Sequence, residues 1–150
     1  MEKPLFSIII PTLNEEKFLP KLLDSLIAQS DKDFEVIVVD GASVDKTEEV
    51  AQSYSKRVPN LSIVRAGKAG VSYQKNLGAA RAVGEWVAFV DADVIFPYKE
   101  ESAKSLVFNL LQYFYDGTPT KMVALNTPRH FRNDDGIVHL FSNLFLNLLC

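Results

Sequence analysis

Four short runs of nearly continuous β-branched and aromatic residues constrain this chain more than any other feature: FSIIIP (Phe6 to Pro11), FEVIVVD (Phe34 to Asp40), LSIVRAG (Leu61 to Gly67) and EWVAFVD (Glu85 to Asp91). A weaker fifth, MVALNTP, runs from Met122 to Pro128. Apolar residues at consecutive positions, rather than alternate ones, predict strands buried on both faces. Helical patterns fill the gaps. LPKLLDSLIAQ puts Leu19, Leu22, Leu23 and Leu26 on one face, with Pro20 where a first turn tolerates it. DKTEEVAQSYSKR opens with Asp45 and Glu48 at capping-box spacing, and GVSYQKNLGAARAV is rich in small residues that allow close packing on a sheet. KEESAKSLVFNLLQYFYDG is long and stops at Gly117. Repeated strand–helix–strand units predict an α/β fold: a doubly wound, mainly parallel sheet with helices on both faces. In such sheets ligands sit at the carboxyl ends of the strands.

Bulk properties narrow the class. At 150 residues, 47% hydrophobic and 23% charged, the chain suits a single globular domain with a true core. A net charge of -3 gives no basic surface, so no nucleic-acid partner is expected. The single Cys150 cannot form an internal disulfide, which favours a reducing, cytoplasmic setting. The N-terminus lacks a signal-peptide pattern, and no run reaches the ~20 apolar residues of a membrane span. The chain ends inside a greasy stretch, IVHLFSNLFLNLLC. That ending predicts a fragment whose remainder would cover this segment.

The strand ends carry the polar residues of interest. Asp91 and Asp93 follow the fourth run, two apart. In extended backbone they would point to one side, where repulsion and desolvation oppose ionising both. A Mg²⁺ or Mn²⁺ ion holding a diphosphate would remove that penalty; a helix cap at Asp93 beside a solvated Asp91 is the plainer alternative. Asp40 ends the second run and reads either as an acceptor for a base or ribose, or as turn chemistry. PTLNEE, covering Pro11, Thr12, Leu13, Asn14 and Glu15, reads as a cradle for a planar base or as a capped turn. In GKAGVSYQKNLGAAR, Gly67 and Gly70 bracket a loop with Lys68 at its tip, a common setting for an anion. Lys75 and Arg81 read as solvated charges and Asn76 as the inward hydrogen-bonding residue of that helix. There is no Walker lysine motif and no G-x-G-x-x-G. His130 and His139 lack zinc spacing, and RHFRNDDG reads as a solvated loop.

Taken in order, SIIIPTLNEEKFLPKLLDSL, FEVIVVDGASVDKT and GVSYQKNLGAARAVGEWVAFVDADV resemble the inverting family-two glycosyltransferases of GT-A (Rossmann-like) fold, over Ser7 to Val94. The resemblance implies roles. Pro11, Thr12, Leu13, Asn14 and Glu15 would line the nucleoside pocket, and Asp40 would accept the N3–H of uracil. Gly70 and Asn76 would lie near the donor. Asp91 would lie by ribose and metal, with Asp93 as the direct metal ligand. The cofactor would be Mn²⁺ or Mg²⁺, the donor a nucleotide-diphosphate sugar with UDP favoured, and the acceptor a saccharide or a lipid-linked sugar. The family's catalytic base lies well after the D-x-D; Asp134 and Asp135 are the only nearby acids and poor matches, which places the base beyond Cys150. Two other readings stay open: a sugar nucleotidyltransferase, although PTLNEE lacks its Gly- and Lys-rich loop, and a non-catalytic nucleotide-binding or interaction domain. The apolar face of 137–150 reads as a core helix missing its partner. Its alternatives are a peripheral membrane contact at the cytoplasmic face and self-association.

Overall fold

The computed structural model describes residues 3–96 and the backbone of 122–126. The helix expected over 99–117, the acids Asp134 and Asp135, and the apolar segment 137–150 lie outside the described residues. The described chain runs β1 (Phe6–Thr12), α1 (Leu19–Ile27), β2 (Phe34–Asp40), α2 (Thr47–Ser53), β3 (Leu61–Arg65), α3 (Val71–Ala79), β4 (Trp86–Val90) and β5 (Met122–Asn126). All five expected strands form one sheet, in the order β3-β2-β1-β4-β5. β1 pairs in parallel with β2 and β4, and β2 with β3. β5 pairs antiparallel to β4, with Ala88 opposite Ala124.

The consecutive apolar residues do what their pattern predicts: they split between two faces. Ile8, Ile10, Val36, Val38, Ala88 and Val90 meet α1 on one side. Ile9, Ile37, Val39, Val87 and Phe89 meet Leu77 and Ala79 of α3 on the other. α1 is only nine residues long, too short to persist alone in water. Its four leucines, Leu19, Leu22, Leu23 and Leu26, are fully buried, and each contributes about 1.5–3 kcal/mol by transfer from water. That face, not helix propensity, holds α1. Pro20 sits in the first turn as expected.

Pro11 lies inside β1 rather than ending it. The β1–β4 ladder stops at Ile9 opposite Phe89, so at Pro11 the strand has β2 alone as a partner. A residue without an N–H is tolerated in such a place. The capping box expected of Asp45 and Glu48 does not form. α2 begins one residue later than expected, at Thr47, and Glu48 pairs instead with Arg65. Among the described residues no helix is long and apolar enough to cross a membrane.

The strand order fixes where a ligand can bind. The chain steps outward from β1 to β2 to β3, then returns across to β4 on the other side of β1. This reversal leaves a crevice at the carboxyl ends of β1 and β4, because the connections leaving those ends diverge.

Candidate functional site

That crevice exists, with a volume of about 450 Å³. Its walls come from three segments: Pro11, Thr12, Leu13 and Glu15 after β1, Gly70 to Lys75 at the start of α3, and Asp91 to Asp93 after β4. Seven of the ten residues singled out in the sequence, Pro11, Thr12, Leu13, Glu15, Gly70, Asp91 and Asp93, therefore converge. A second hollow of similar size, beside Lys21, Asp24 and Ile95, has its Asp24 already paired with Arg57 at 3.1 Å. It gathers no such set of strand-end groups.

Asp91 and Asp93 share the crevice for a different reason from the one extended backbone suggests. β4 ends at Val90, and the Val94 amide donates to the Asp91 carbonyl at 3.1 Å. A turn, not a strand, turns both acids to the same opening. Asp93 is exposed and caps no helix among the described residues. Lys75, expected to be a solvated charge, is half-buried, with its ammonium 3.7 Å from Asp91 Oδ1 and 5.9 Å from the Phe89 ring centre. The crevice thus holds three carboxylates (Glu15, Asp91, Asp93) against one ammonium among the described residues.

The floor is built by a residue the sequence reading passed over. Gln74 is buried, and its amide Nε2 donates to the carbonyls of Thr12 and Val39, both at 2.8 Å. Its Oε1 accepts from the Gly70 amide at 3.3 Å. The inward hydrogen bonds expected of Asn76 are these. The Asn76 side chain makes none among the described residues, and it is not on the crevice wall. A signal was present: Gln74 and Gly78 are four residues apart and so share the face that packs on the sheet.

Asp40 and Asn14 also lie off the wall. Asp40 accepts from the Ser43 amide at 2.9 Å, the Ser43 hydroxyl at 2.5 Å and Thr12 Oγ1 at 3.4 Å. The turn reading of Asp40 is therefore realised, and one hydrogen bond links it to the crevice through Thr12. Asn14 sits at φ 58, a conformation that Asn tolerates better than most residues. Its Oδ1 accepts from the Val44 amide, and its own amide donates to Ser43 Oγ, both at 2.9 Å. Nearby, Thr47 Oγ1 accepts from the Glu15 amide at 2.7 Å, and Asp45 Oδ2 from the Glu16 amide at 3.1 Å. Burial pushes the Asp45 carboxyl up, but hydrogen bonds from Thr47 and Glu16 outweigh this and leave it below the usual carboxylate range. The loop after β1 is thus latched to the loop after β2, which sets the position of Leu13 and Glu15.

The donor set fits a divalent cation that keeps open positions. Asp91 and Asp93 present hard carboxylate oxygens on one wall, and no group of three or more His, Cys, Asp or Glu residues gathers as a metal site among the described residues. Mg²⁺ and Mn²⁺ are commonly held this way, by one or two carboxylates with water and phosphate oxygens completing the shell.

Known proteins place the crevice in context. The uncharacterized glycosyltransferase EpsJ of Bacillus subtilis is 37% identical over 90 residues, 60% of this chain and 26% of that relative. Poly(ribitol-phosphate) β-N-acetylglucosaminyltransferase TarS of Staphylococcus aureus is 38% identical over 125 residues, 81% of this chain and 21% of that protein. The structure of TarS 1-349 with UDP superposes with a TM-score of 0.61 at 33% identity, covering 73% of this chain and 31% of that one. The mannosyltransferase PcManGT of Pyrobaculum calidifontis, solved with GDP-Man and Mn²⁺, superposes at TM-score 0.61 with 29% identity, covering 78% and 34%. The expected GT-A arrangement therefore holds, and the chain spans well under half the length of these relatives. The family model described as "Glycosyl transferase family 2" matches residues 7–140, which takes in every wall of the crevice. This chain belongs to glycosyl transferase family 2.

Proposed function

We propose that this chain carries the donor-binding part of a glycosyltransferase that moves a sugar from a nucleotide diphosphate, with a UDP-sugar favoured, to a hydroxyl of a saccharide or lipid-linked acceptor, with inversion. The observation that carries this reading is the meeting of Asp91 and Asp93 with the Pro11–Glu15 loop in one crevice at the sheet's switch point. Three carboxylates against one ammonium would repel a diphosphate on their own, so the donor must arrive with a cation. Asp91 and Asp93 would hold that Mn²⁺ or Mg²⁺, which supplies Lewis-acid stabilisation of the charge developing on the departing diphosphate. The complexes of TarS with UDP and of PcManGT with GDP-Man and Mn²⁺ support both parts of the reading.

This chain's residues bind and orient. Thr12, Leu13 and Glu15 would face the nucleoside, with Asp40 acting on it through Thr12 or, where the turn yields a lone pair, directly. Gly70 completes the proposed donor side. In the transfer, the acceptor oxygen forms a bond to the anomeric carbon as that carbon's bond to the diphosphate oxygen breaks, and a carboxylate base takes the acceptor proton. We assign that base to sequence beyond the described residues; Asp134 and Asp135 remain weak candidates. A reducing, cytoplasmic compartment suits a nucleotide-sugar donor and the single cysteine.

The test is thermal unfolding of the full chain with UDP, GDP or dTDP, each with and without Mn²⁺, in wild type and Asp93→Asn. A rise in melting temperature that needs both Mn²⁺ and nucleotide, and that Asp93→Asn abolishes, is the expected result. No response to any nucleotide would instead leave a non-catalytic domain. Pyrophosphate release in place of sugar transfer would make it a nucleotidyltransferase.

A further inference from the structure

We propose that Lys75 is a counter-cation built into the site: it sits on Asp91 before ligand binds and turns to the diphosphate once a divalent cation takes Asp91. The inference rests on the nucleotide-diphosphate reading above and adds a residue to it.

Three observations carry it. The Lys75 ammonium lies 3.7 Å from Asp91 Oδ1, with both side chains half-buried in the crevice wall. It is the only basic side chain on that wall among the described residues, facing Glu15, Asp91 and Asp93. Its backbone cannot drift, because the adjoining Gln74 is tied to the ends of β1 and β2 by two 2.8 Å hydrogen bonds. The Phe89 ring, 5.9 Å from the ammonium, borders the volume the charge can explore. A divalent cation and an ammonium repel each other and compete for one carboxylate. Lys75 must leave Asp91 when a cation binds there. Its four-carbon stem lets it do so without moving α3, and a diphosphate in the same crevice is an anion within the space it can reach.

Lys75 is then a competitor for the metal and a ligand for the phosphates, so removing it has effects of opposite sign. The test titrates Mn²⁺ alone, and UDP in the presence of saturating Mn²⁺, into wild type and Lys75→Met by calorimetry, with Lys75→Arg as the charge-keeping control. Lys75→Met binds Mn²⁺ about threefold tighter and UDP about tenfold weaker, and Lys75→Arg stays near wild type in both. An incidental ion pair would move neither value. If wild type binds both ligands and Lys75→Met shifts neither, or shifts both the same way, the Lys75 assignment is overturned while the nucleotide reading stands. If wild type binds neither, the nucleotide reading falls and takes the assignment with it. Circular dichroism of each variant confirms that α3 is intact, since Met is as good a helix former as Lys.

Discussion

The side-chain amide of Gln74 bridges carbonyls near the ends of two parallel strands, and this explains an odd neighbour. Gly41 has an ordinary backbone conformation, yet a Cβ built there would lie 2.9 Å from Gln74 Oε1 and 3.0 Å from its Cδ. A free glutamine would swing away; this one is held by three hydrogen bonds. Gly41→Ala is therefore expected to destabilise by about 1–3 kcal/mol through overpacking. Gln74→Ala should cost a similar amount, through lost hydrogen bonds and poorly satisfied carbonyls. The two costs should not add: with Gln74 cut back, Gly41→Ala has room, and a coupling of at least about 1 kcal/mol should appear in a double-mutant cycle read by urea unfolding. Strict additivity would mean that the amide does not fill that space. At this scale the sequence was informative about residue type and poor about partners. The D-x-D spacing marked Asp91 and Asp93, but the spacing could not say that a turn would aim them. Nothing local marks Lys75 as the partner of Asp91, because the pairing depends on α3 packing beside β4. Asp40 kept both its readings until Ser43 was seen to occupy it.

Element identity was far more legible, because it depends on periodicity within one segment. The leucine spacing of α1 and the unbroken apolar runs of β1, β2 and β4 reappear as buried faces. The exceptions are informative. The Asp45–Glu48 capping box failed because Asp45 bonds to its near neighbour Thr47 and to the distant Glu16 amide, while the distant Arg65 takes Glu48. The antiparallel direction of β5 was unreadable, since an apolar run packs equally well either way along its neighbour. α3 shows how sequence and packing can disagree on a single residue. In an isolated helix Gly78→Ala would stabilise by about 1 kcal/mol. Here the new Cβ would fall 2.4 Å from Ile9 Cγ2 and 3.0 Å from Val39 Cγ2, so the helix must lift from the sheet. Overpacking of this kind costs about 1–3 kcal/mol, and Ile9 has no room to retreat in a fully buried strand. Sterics should win, giving a net loss of up to about 2 kcal/mol in the unfolding free energy. Because Gln74 sits one turn earlier on the same face, nucleotide affinity should weaken with it. A variant as stable as wild type would place α3 farther from β1 than described.

For the molecule as a whole, direction mattered more than order. Alternating strands and helices required parallel neighbours, and parallel neighbours gather their carboxyl ends on one edge. That much placed Thr12, Asp40 and Asp91 together before any strand order was known. The order β3-β2-β1-β4 was not readable, because nothing in a connection's length says on which side of β1 it returns; yet it decides that β1 and β4, not β2 and β3, frame the crevice. Hydrogen exchange can test this asymmetry between edges. UDP with Mn²⁺ at 100 times its dissociation constant should stabilise the fold by about 2.7 kcal/mol. Core amides that exchange only through global unfolding will all slow by that factor wherever the ligand sits, so they carry no positional information. Loop amides exchange through local openings and do carry it. The loops at 13–18, 67–70 and 91–96, which lie on the carboxyl edge, should slow markedly, whereas 28–33 and 83–85, before β2 and β4 on the opposite edge, should exchange as in the free chain. Protection at 28–33 or 83–85 that equals that at 91–96 would put the ligand outside the crevice, and Asp91 and Asp93 would lose their proposed role with it.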